Sequence, residues 1–392
     1  MELQDKIKRD FRTIYSVINT AGHDVRMVGG AVRDIIRGVE PKDYDFATTA
    51  PPQVVMHLFS NEYAGYTSHG TGLKHGTVTV VVRGTPYEVT TLRLDENADG
   101  RHADVTFTQD WELDAARRDF TMNSMYMDVE GKVYDYFNGR QDILNFEIRF
   151  VGNPDDRIKE DYLRILRYYR FYSADIHARP NQMVHEIITK NAKGLEKISG
   201  ERIWTELTRI LSGHNRYATV RLMQDSGVAD AIGLMLPRDG MLYLQTGGNR
   251  SWISGLAALV RDPKKLDELR TRWKFDNASE KILRYVINNR HEKLNAIWVN
   301  EQVARGVEPN DIYHLAAYQG DGAMAQYVRA LPALPKFQVN GNDVKSFGFV
   351  GRDIGEVLEE LKNEWIASGF TLSKEDLIGI LKMKWAARLR PE

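Results

Sequence analysis

The 392-residue chain has no cysteine. That single absence excludes disulfide bridges, thiolate metal sites and cysteine nucleophiles. An excess of charge of either sign is also missing: Lys+Arg total 53 and Asp+Glu total 54, for a formal net charge of −1. A basic coat over the whole surface is therefore ruled out, but local basic patches, where phosphate contacts operate, are not. No uncharged apolar run approaches the ~20 residues needed to cross a bilayer. The N-terminal MELQDKIKRDF is charged and has no apolar stretch, so no secretory signal is expected. The chain reads as a soluble cytoplasmic protein that does not engage membranes.

What is present supports a large core. Hydrophobic residues make up 42% of the chain, and the length implies two to four domains. The first ~150 residues mix strand and helix signals. Residues 5–20 read as an amphipathic helix, and His23–Val28 as a short strand ending in Gly29-Gly30. A helix is expected over 31–37 and a strand over Asp43–Phe46. TVTVVVR (77–83) and PYEVTTL (86–92) form a hairpin pattern around Gly84. Residues 94–104 are polar and read as a loop, followed by a strand pair around Glu130-Gly131. Beyond residue ~150 helical periodicity dominates, beginning with helices over 157–173, 182–190, 199–212 and 215–226. Further helices are expected over 252–260, 264–272, 277–289, 310–318, 322–330, 353–367 and 374–388.

The most informative spacing is Asp43-Tyr44-Asp45. Residues two apart on a strand share a face, so both carboxylates would converge. Two like charges that close are costly unless a cation offsets them. Hard oxygen ligands suit Mg²⁺, which bridges to substrate phosphates. A D-x-D alone is common and mostly marks solvated loops. Here Val28-Gly29-Gly30-Ala31-Val32-Arg33-Asp34 stands upstream, with the second glycine thirteen residues before Asp43. Paired glycines between a strand and a helix let backbone N–H groups approach phosphate, and Arg33 can neutralise it.

The run VGGAVRD…KDYDFAT resembles the signature of class II tRNA nucleotidyltransferases, the CCA-adding enzymes of the DNA polymerase beta-like superfamily. The resemblance implies an α+β fold, with a small mixed-sheet head followed by an elongated all-helical neck, body and tail. It implies Mg²⁺ on the catalytic Asp43 and Asp45, with Gly30 and Arg33 on the incoming nucleotide. Glu88 stands where the superfamily often supplies a third carboxylate; an ordinary strand glutamate is the competing reading. TGLKHGT (71–77) resembles a further family segment, in which His75 reads as turn-stabilising more than catalytic. RRDFTMN (117–123) matches the family motif residue for residue and implies that Arg118 contacts nucleotide.

EDYLR (160–164) resembles the motif that reads the incoming base. Cytosine and adenine share an exocyclic amine, which a carboxylate accepts from, while uracil offers a carbonyl that it repels. An arginine donates to the ring nitrogen that is an acceptor in C and A and a donor in G and U. Asp161 and Arg164, at i and i+3 on one helix face, would then admit C and A. The competing reading is a surface ion pair. Arg167 and Arg170 continue the nucleotide-binding series, although Arg170 falls nearly opposite Asp161 on an ideal helix and reads as an anchor or a phosphate contact. SGERIWTE (199–206) resembles a helix-stabilising segment, with Ser199 as N-cap.

The segments expected are a catalytic head over 1–150, a base-recognising neck over 151–215, a helical body over 216–330 and a tRNA-binding tail over 331–392. Asp135-Tyr136-Phe137-Asn138-Gly139 departs from the DPFGG that relatives carry at the flexible link of head and neck. The loop over 92–104 decides C-to-A switching in this family. Here it keeps Arg93, Asp95, Asp99 and Arg101 but lacks the YxDxRRP core. Full CCA addition from CTP and ATP is the expectation. CC-only addition, and bacterial poly(A) polymerase with its usual basic C-terminal extension, are the alternatives. Helical-body contacts to the tRNA acceptor arm and T loop fall among scattered cations, such as Arg284, Arg290, Lys336, Lys345, Lys384 and Arg388, with no compact basic stripe.

Overall fold

The computed structural model describes residues 4–60, 65–96, 104–246 and 251–388. It separates into two compact units. The first runs to Leu244 and includes Leu269–Phe275; the second takes Gln245–Glu268 and the residues from Asp276 onward.

The first unit opens with α1 (Asp5–Thr20), β1 (Val25–Val28), α2 (Gly30–Ile36), β2 (Asp45–Thr48) and α3 (Pro52–Leu58). Next come β3 (Tyr66–Gly72), β4 (Thr77–Val82), β5 (Thr85–Thr91), β6 (Arg93–Glu96), β7 (Asp104–Phe107) and α4 (Trp111–Ala116). The short strands β8 (Tyr126–Met127) and β9 (Val133–Tyr134) precede α5 (Gly139–Asn145). Seven strands form one mixed sheet in the order β3-β4-β5-β2-β1-β8-β9. Among the described residues its only parallel pairing is β2 with β5, in which Asp45 lies opposite Glu88. Strand alternation explains the core: Val78, Val80 and Val82 of β4 are buried while the intervening residues are not. They pack with Phe11, Ile14 and Ile18 from α1, at the 3–4-residue spacing of one helix face.

The predicted loop after β5 is shorter than expected. Arg93–Glu96 and Asp104–Phe107 pair antiparallel in a separate two-stranded ribbon. Residues 97–103, including Asp99 and Arg101, lie outside the described residues.

Helices follow: α6 (Pro154–Glu160), α7 (Leu163–Ala174), α8 (Gln182–Asn191), α9 (Gly200–Leu211) and α10 (Arg216–Asp225). The single helix expected over 157–173 is in fact two. Asp161 leaves helical geometry (φ −152°, ψ 104°), and its Oδ1 accepts the N–H of Leu163, the first residue of the second helix, at 3.0 Å. The second unit is helical among its described residues. One of its cores gathers Val344, Val357, Leu361 and Trp365, and another Val299, Ile312 and Val328. Among the described residues no helix is long and apolar enough to cross a membrane.

The 135–139 segment shows why two of its residues match the family pattern. Asp135 accepts the N–H groups of Gly139 and Arg140, each at 2.9 Å, closing the turn into α5. A Cβ on Gly139 would sit 2.1 Å from the Thr121 carbonyl oxygen. Gly139→Ala is therefore expected to cost roughly 1–3 kcal/mol, since backbone must shift. Denaturant unfolding checks this, and a loss below ~0.5 kcal/mol would show that the contact yields freely.

Candidate active site

The β2–β5 register places Asp45 and Glu88 side by side at one end of the parallel pair. Tyr87 and Val89 turn into the core, so Glu88 and Thr90 face the other way, into a cavity of about 630 Å³. Asp43 precedes β2 and is not in the strand. Asp43 and Asp45 therefore do not share a strand face as the two-residue period predicts. Asp43 nonetheless lies near enough to act electrostatically on Asp45. Together with Glu88, the two line an adjoining recess of about 720 Å³ that also holds Tyr44 and Tyr87.

Asp45 keeps solvent access but is crowded by protein. That crowding first, and then the charges of Glu88 and Asp43, push its carboxyl up to about 6, with Arg118 opposing. A divalent cation would relieve this repulsion. Among the described residues no group of three or more histidine or carboxylate side chains could by itself hold a metal ion. One or two carboxylates completed by water and phosphate oxygens is the arrangement that suits Mg²⁺, and the oxygen-only set here fits it.

Among the described residues eight arginines line the same cavity. Gly29 takes φ 71° at the start of α2, a left-handed conformation that favours glycine, and its N–H bonds the Met125 carbonyl at 3.2 Å. Gly30 and Arg33 then line the cavity. Arg33 is steadied by Asp34 (2.8 Å) and by the Asn123 side-chain oxygen (2.9 Å). Arg118 and Arg117 are both held by Asp114, at 3.0 and 2.8 Å, and Tyr126 donates to the same carboxylate at 2.7 Å. Asp114 is 1% exposed. Burial alone would raise its carboxyl, but Arg118, Arg117 and the Tyr126 hydroxyl outweigh it and hold the group at about 2.

Asp161, Arg164, Arg167 and Arg170 all reach the same cavity. Asp161 does not pair with Arg164, contrary to the ion-pair reading. Its Oδ2 takes Arg202 at 2.6 Å, while Arg164 donates to Glu160 at 2.6 Å and to the Arg157 carbonyl at 2.8 Å. The helix break between α6 and α7 replaces the shared helix face that the i, i+3 spacing suggested. Arg167 is bound by Asp119 at 2.5 Å, and Arg170 by Glu206 at 3.0 Å. Burial pushes Arg170 down to about 10 against the pull of Glu206. The anchor expected of Arg170 is thus present, yet Arg170 also lines the cavity. The imidazole of His75 does not line it; the His75 carbonyl accepts from Arg93. Ser199 precedes α9 without a side-chain cap bond.

Sequence reasoning passed over Asp114, Asn123, Arg157 and Arg202. Asp114 and Arg157 left local traces: the i, i+3 and i, i+4 spacing of Asp114 to Arg117 and Arg118, and the i, i+3 spacing of Arg157 to Glu160. Asp114→Asn tests its role. A folded-state value of about 2 against an ordinary ~3.9 contributes on the order of 2–3 kcal/mol above pH ~4, lost as pH falls through the folded value. The stability gap between wild type and variant should be full at pH 6 and shrink below pH 4. A gap constant with pH would remove Asp114 from this role.

Comparison with known proteins agrees with this geometry. A family model described as "Poly A polymerase head domain" matches residues 25–149, and one described as "Probable RNA and SrmB- binding site of polymerase A" matches residues 181–234. The mouse "CCA tRNA nucleotidyltransferase 1, mitochondrial" is 37% identical over 97% of this chain and 92% of its own length. The CCA-adding enzyme of Lactobacillus johnsonii is 30% identical over 88% of this chain and 89% of its own. The solved CCA-adding enzyme of Bacillus stearothermophilus, in complex with CTP, superposes with a TM-score of 0.82 at 28% identity, covering 98% of this chain and 99% of that one. The chain belongs to the CCA tRNA nucleotidyltransferase family.

Proposed function

We propose that this enzyme adds CCA to the 3′ end of tRNA from CTP and ATP, and selects the base with Asp161 and Arg164. One observation carries the reading: Asp161 and Arg164 line the same cavity as Asp45, Arg33 and Arg118, so base, phosphates and carboxylates meet in one place. In this reading Gly30, Arg33, Arg118, Arg167 and Arg170 bind the nucleotide. Arginine is the fitting choice, since its planar fork pairs phosphate oxygens at two points. The Asp161 carboxylate retains lone pairs beyond those taken by Leu163 and Arg202, and these can accept the amine of cytosine or adenine. A base with a carbonyl there meets repulsion instead.

Asp43 and Asp45 would hold Mg²⁺, with Glu88 as the third carboxylate beside them. When bound, the ions supply a lowered pKa at the attacking hydroxyl and charge stabilisation for the leaving pyrophosphate. The recess shared by Asp43, Tyr44 and Tyr87 adjoins the nucleotide cavity through Asp45 and Glu88, and suits the tRNA 3′ end. The four-part division into head (1–150), neck (151–215), body (216–330) and tail (331–392) belongs to the same proposal, with the helical parts gripping the acceptor arm and T loop. So does a cytoplasmic place of work, which fractionation against mitochondria would check.

The deciding assay supplies tRNA ending at the discriminator base. CTP alone should add two residues and CTP with ATP three. Two residues with both nucleotides would establish CC-only addition, and a long A tail the polymerase reading. Asp43→Ala and Asp45→Ala should each lower addition at least about a hundredfold, with tRNA binding retained. Because Asp45 must lose its proton to bind a cation, the apparent Mg²⁺ affinity should fall up to ~10-fold per pH unit below about 6. Affinity that stays level from pH 7 to 5 would contradict this.

A further inference from the structure

Arg157 stands outside the cavity lining, yet it touches both halves of the site. It lies in α6, and its side chain is 12% exposed. Its Nη2 donates to the backbone carbonyls of Arg117 at 2.5 Å and Arg118 at 2.9 Å. These are carbonyls at the end of α4, where a helix leaves acceptors without intrahelical partners. The three residues from 117 to 119 carry side chains into the nucleotide cavity. Arg157 therefore pins the main chain from which they project.

The other end of the same guanidinium holds the base-reading residue. Nη1 donates to Glu160 Oε2 at 2.5 Å, and Arg164 donates to that same oxygen at 2.6 Å. Arg164 also donates to the carbonyl of Arg157 itself at 2.8 Å. One side chain thus joins the backbone under Arg118 to the carboxylate and carbonyl that aim Arg164.

The arrangement is unfavourable by local standards. Burial, and next the charge of Arg164, lower the pKa of Arg157. Its Nε is buried with no hydrogen-bond partner. A buried donor without a partner costs free energy, and apolar residues can often replace buried charges without loss of stability. Packing alone does not call for an arginine here. Three acceptors on two different segments do, because only a rigid fork serves them together.

We infer that Arg157 is a positioning residue for nucleotide selection, locking the Arg117–Asp119 backbone to Arg164 so that base and phosphate contacts are made in one fixed geometry. The inference rests on the reading of Arg164 as base-selecting.

Arg157→Lys keeps the charge but not the fork, and Arg157→Met keeps the length without the charge. Each is measured for single-nucleotide addition to tRNA with CTP and, separately, UTP, alongside thermal unfolding. The expected result is a fall of about tenfold or more in the ratio of kcat/KM for CTP to that for UTP, in both variants, with Arg157→Lys melting near wild type. Should one variant not fold, the other carries the test. Equal losses with CTP and UTP, leaving the ratio unchanged, would overturn the inference and reduce Arg157 to a structural tie. Arg164→Ala in the same assay separates the two claims. If it leaves the ratio intact, base selection by Arg164 is wrong. If it collapses the ratio while the Arg157 variants preserve it, only the positioning role is wrong.

Discussion

Among the described residues eight arginines line one cavity and repel one another, and carboxylates in and behind its wall hold them there. Asp114 takes Arg117 and Arg118, Asp119 takes Arg167, Glu206 takes Arg170, Glu160 takes Arg164 and Asp161 takes Arg202. Each pair neutralises charge and fixes a direction. Surface ion pairs contribute little to stability, and buried ones recover their desolvation cost only with good geometry and further hydrogen bonds. Their worth in this protein lies in preorganisation. A triphosphate that enters meets donors already oriented, so little ordering remains to be done on binding.

The fold supplies the second constraint. Joining β2 to β5 in parallel within an otherwise antiparallel sheet sets Asp45 beside Glu88, and the repulsion among the carboxylates there marks the place for a cation. Cavity and carboxylate recess meet at these two residues. The helices from α6 to α9 then bring Asp161, Arg164 and Arg202 against that strand end. Asp45 and the cavity residues Asp161, Arg164 and Arg202 come from chain segments more than a hundred residues apart, and short polar links such as Asp119 with Arg167 tie the cavity wall together.

Much of this was legible in the sequence because it is local. Gly29-Gly30, Arg33 and Asp45 sit where a strand–turn–helix reading places them, and the hairpin over 77–91 follows its β-branched alternation. Non-local features were hidden. The i, i+3 spacing of Asp161 and Arg164 looks the same in one helix as across a break, and at the break Asp161 leaves helical geometry and accepts the Leu163 N–H. Ideal helical rotation put Arg170 away from the site, but Glu206 of α9 draws it to the cavity edge. The β6–β7 ribbon escaped because a polar strand pair carries no apolar alternation. The roles of Arg157 and Arg202 were hidden, since the Arg117 and Arg118 carbonyls and the Asp161 carboxylate that they bind lie about forty residues away in sequence.

In the proposed function the protein alone, before tRNA arrives, distinguishes nucleotides by their Watson–Crick edge. Equilibrium titration of the enzyme with CTP, ATP, GTP and UTP by calorimetry, without tRNA, tests it most directly. CTP and ATP should bind at least about tenfold more tightly than GTP and UTP, a difference of one well-placed polar pair. Equal affinities for all four would move selection away from Asp161 and Arg164.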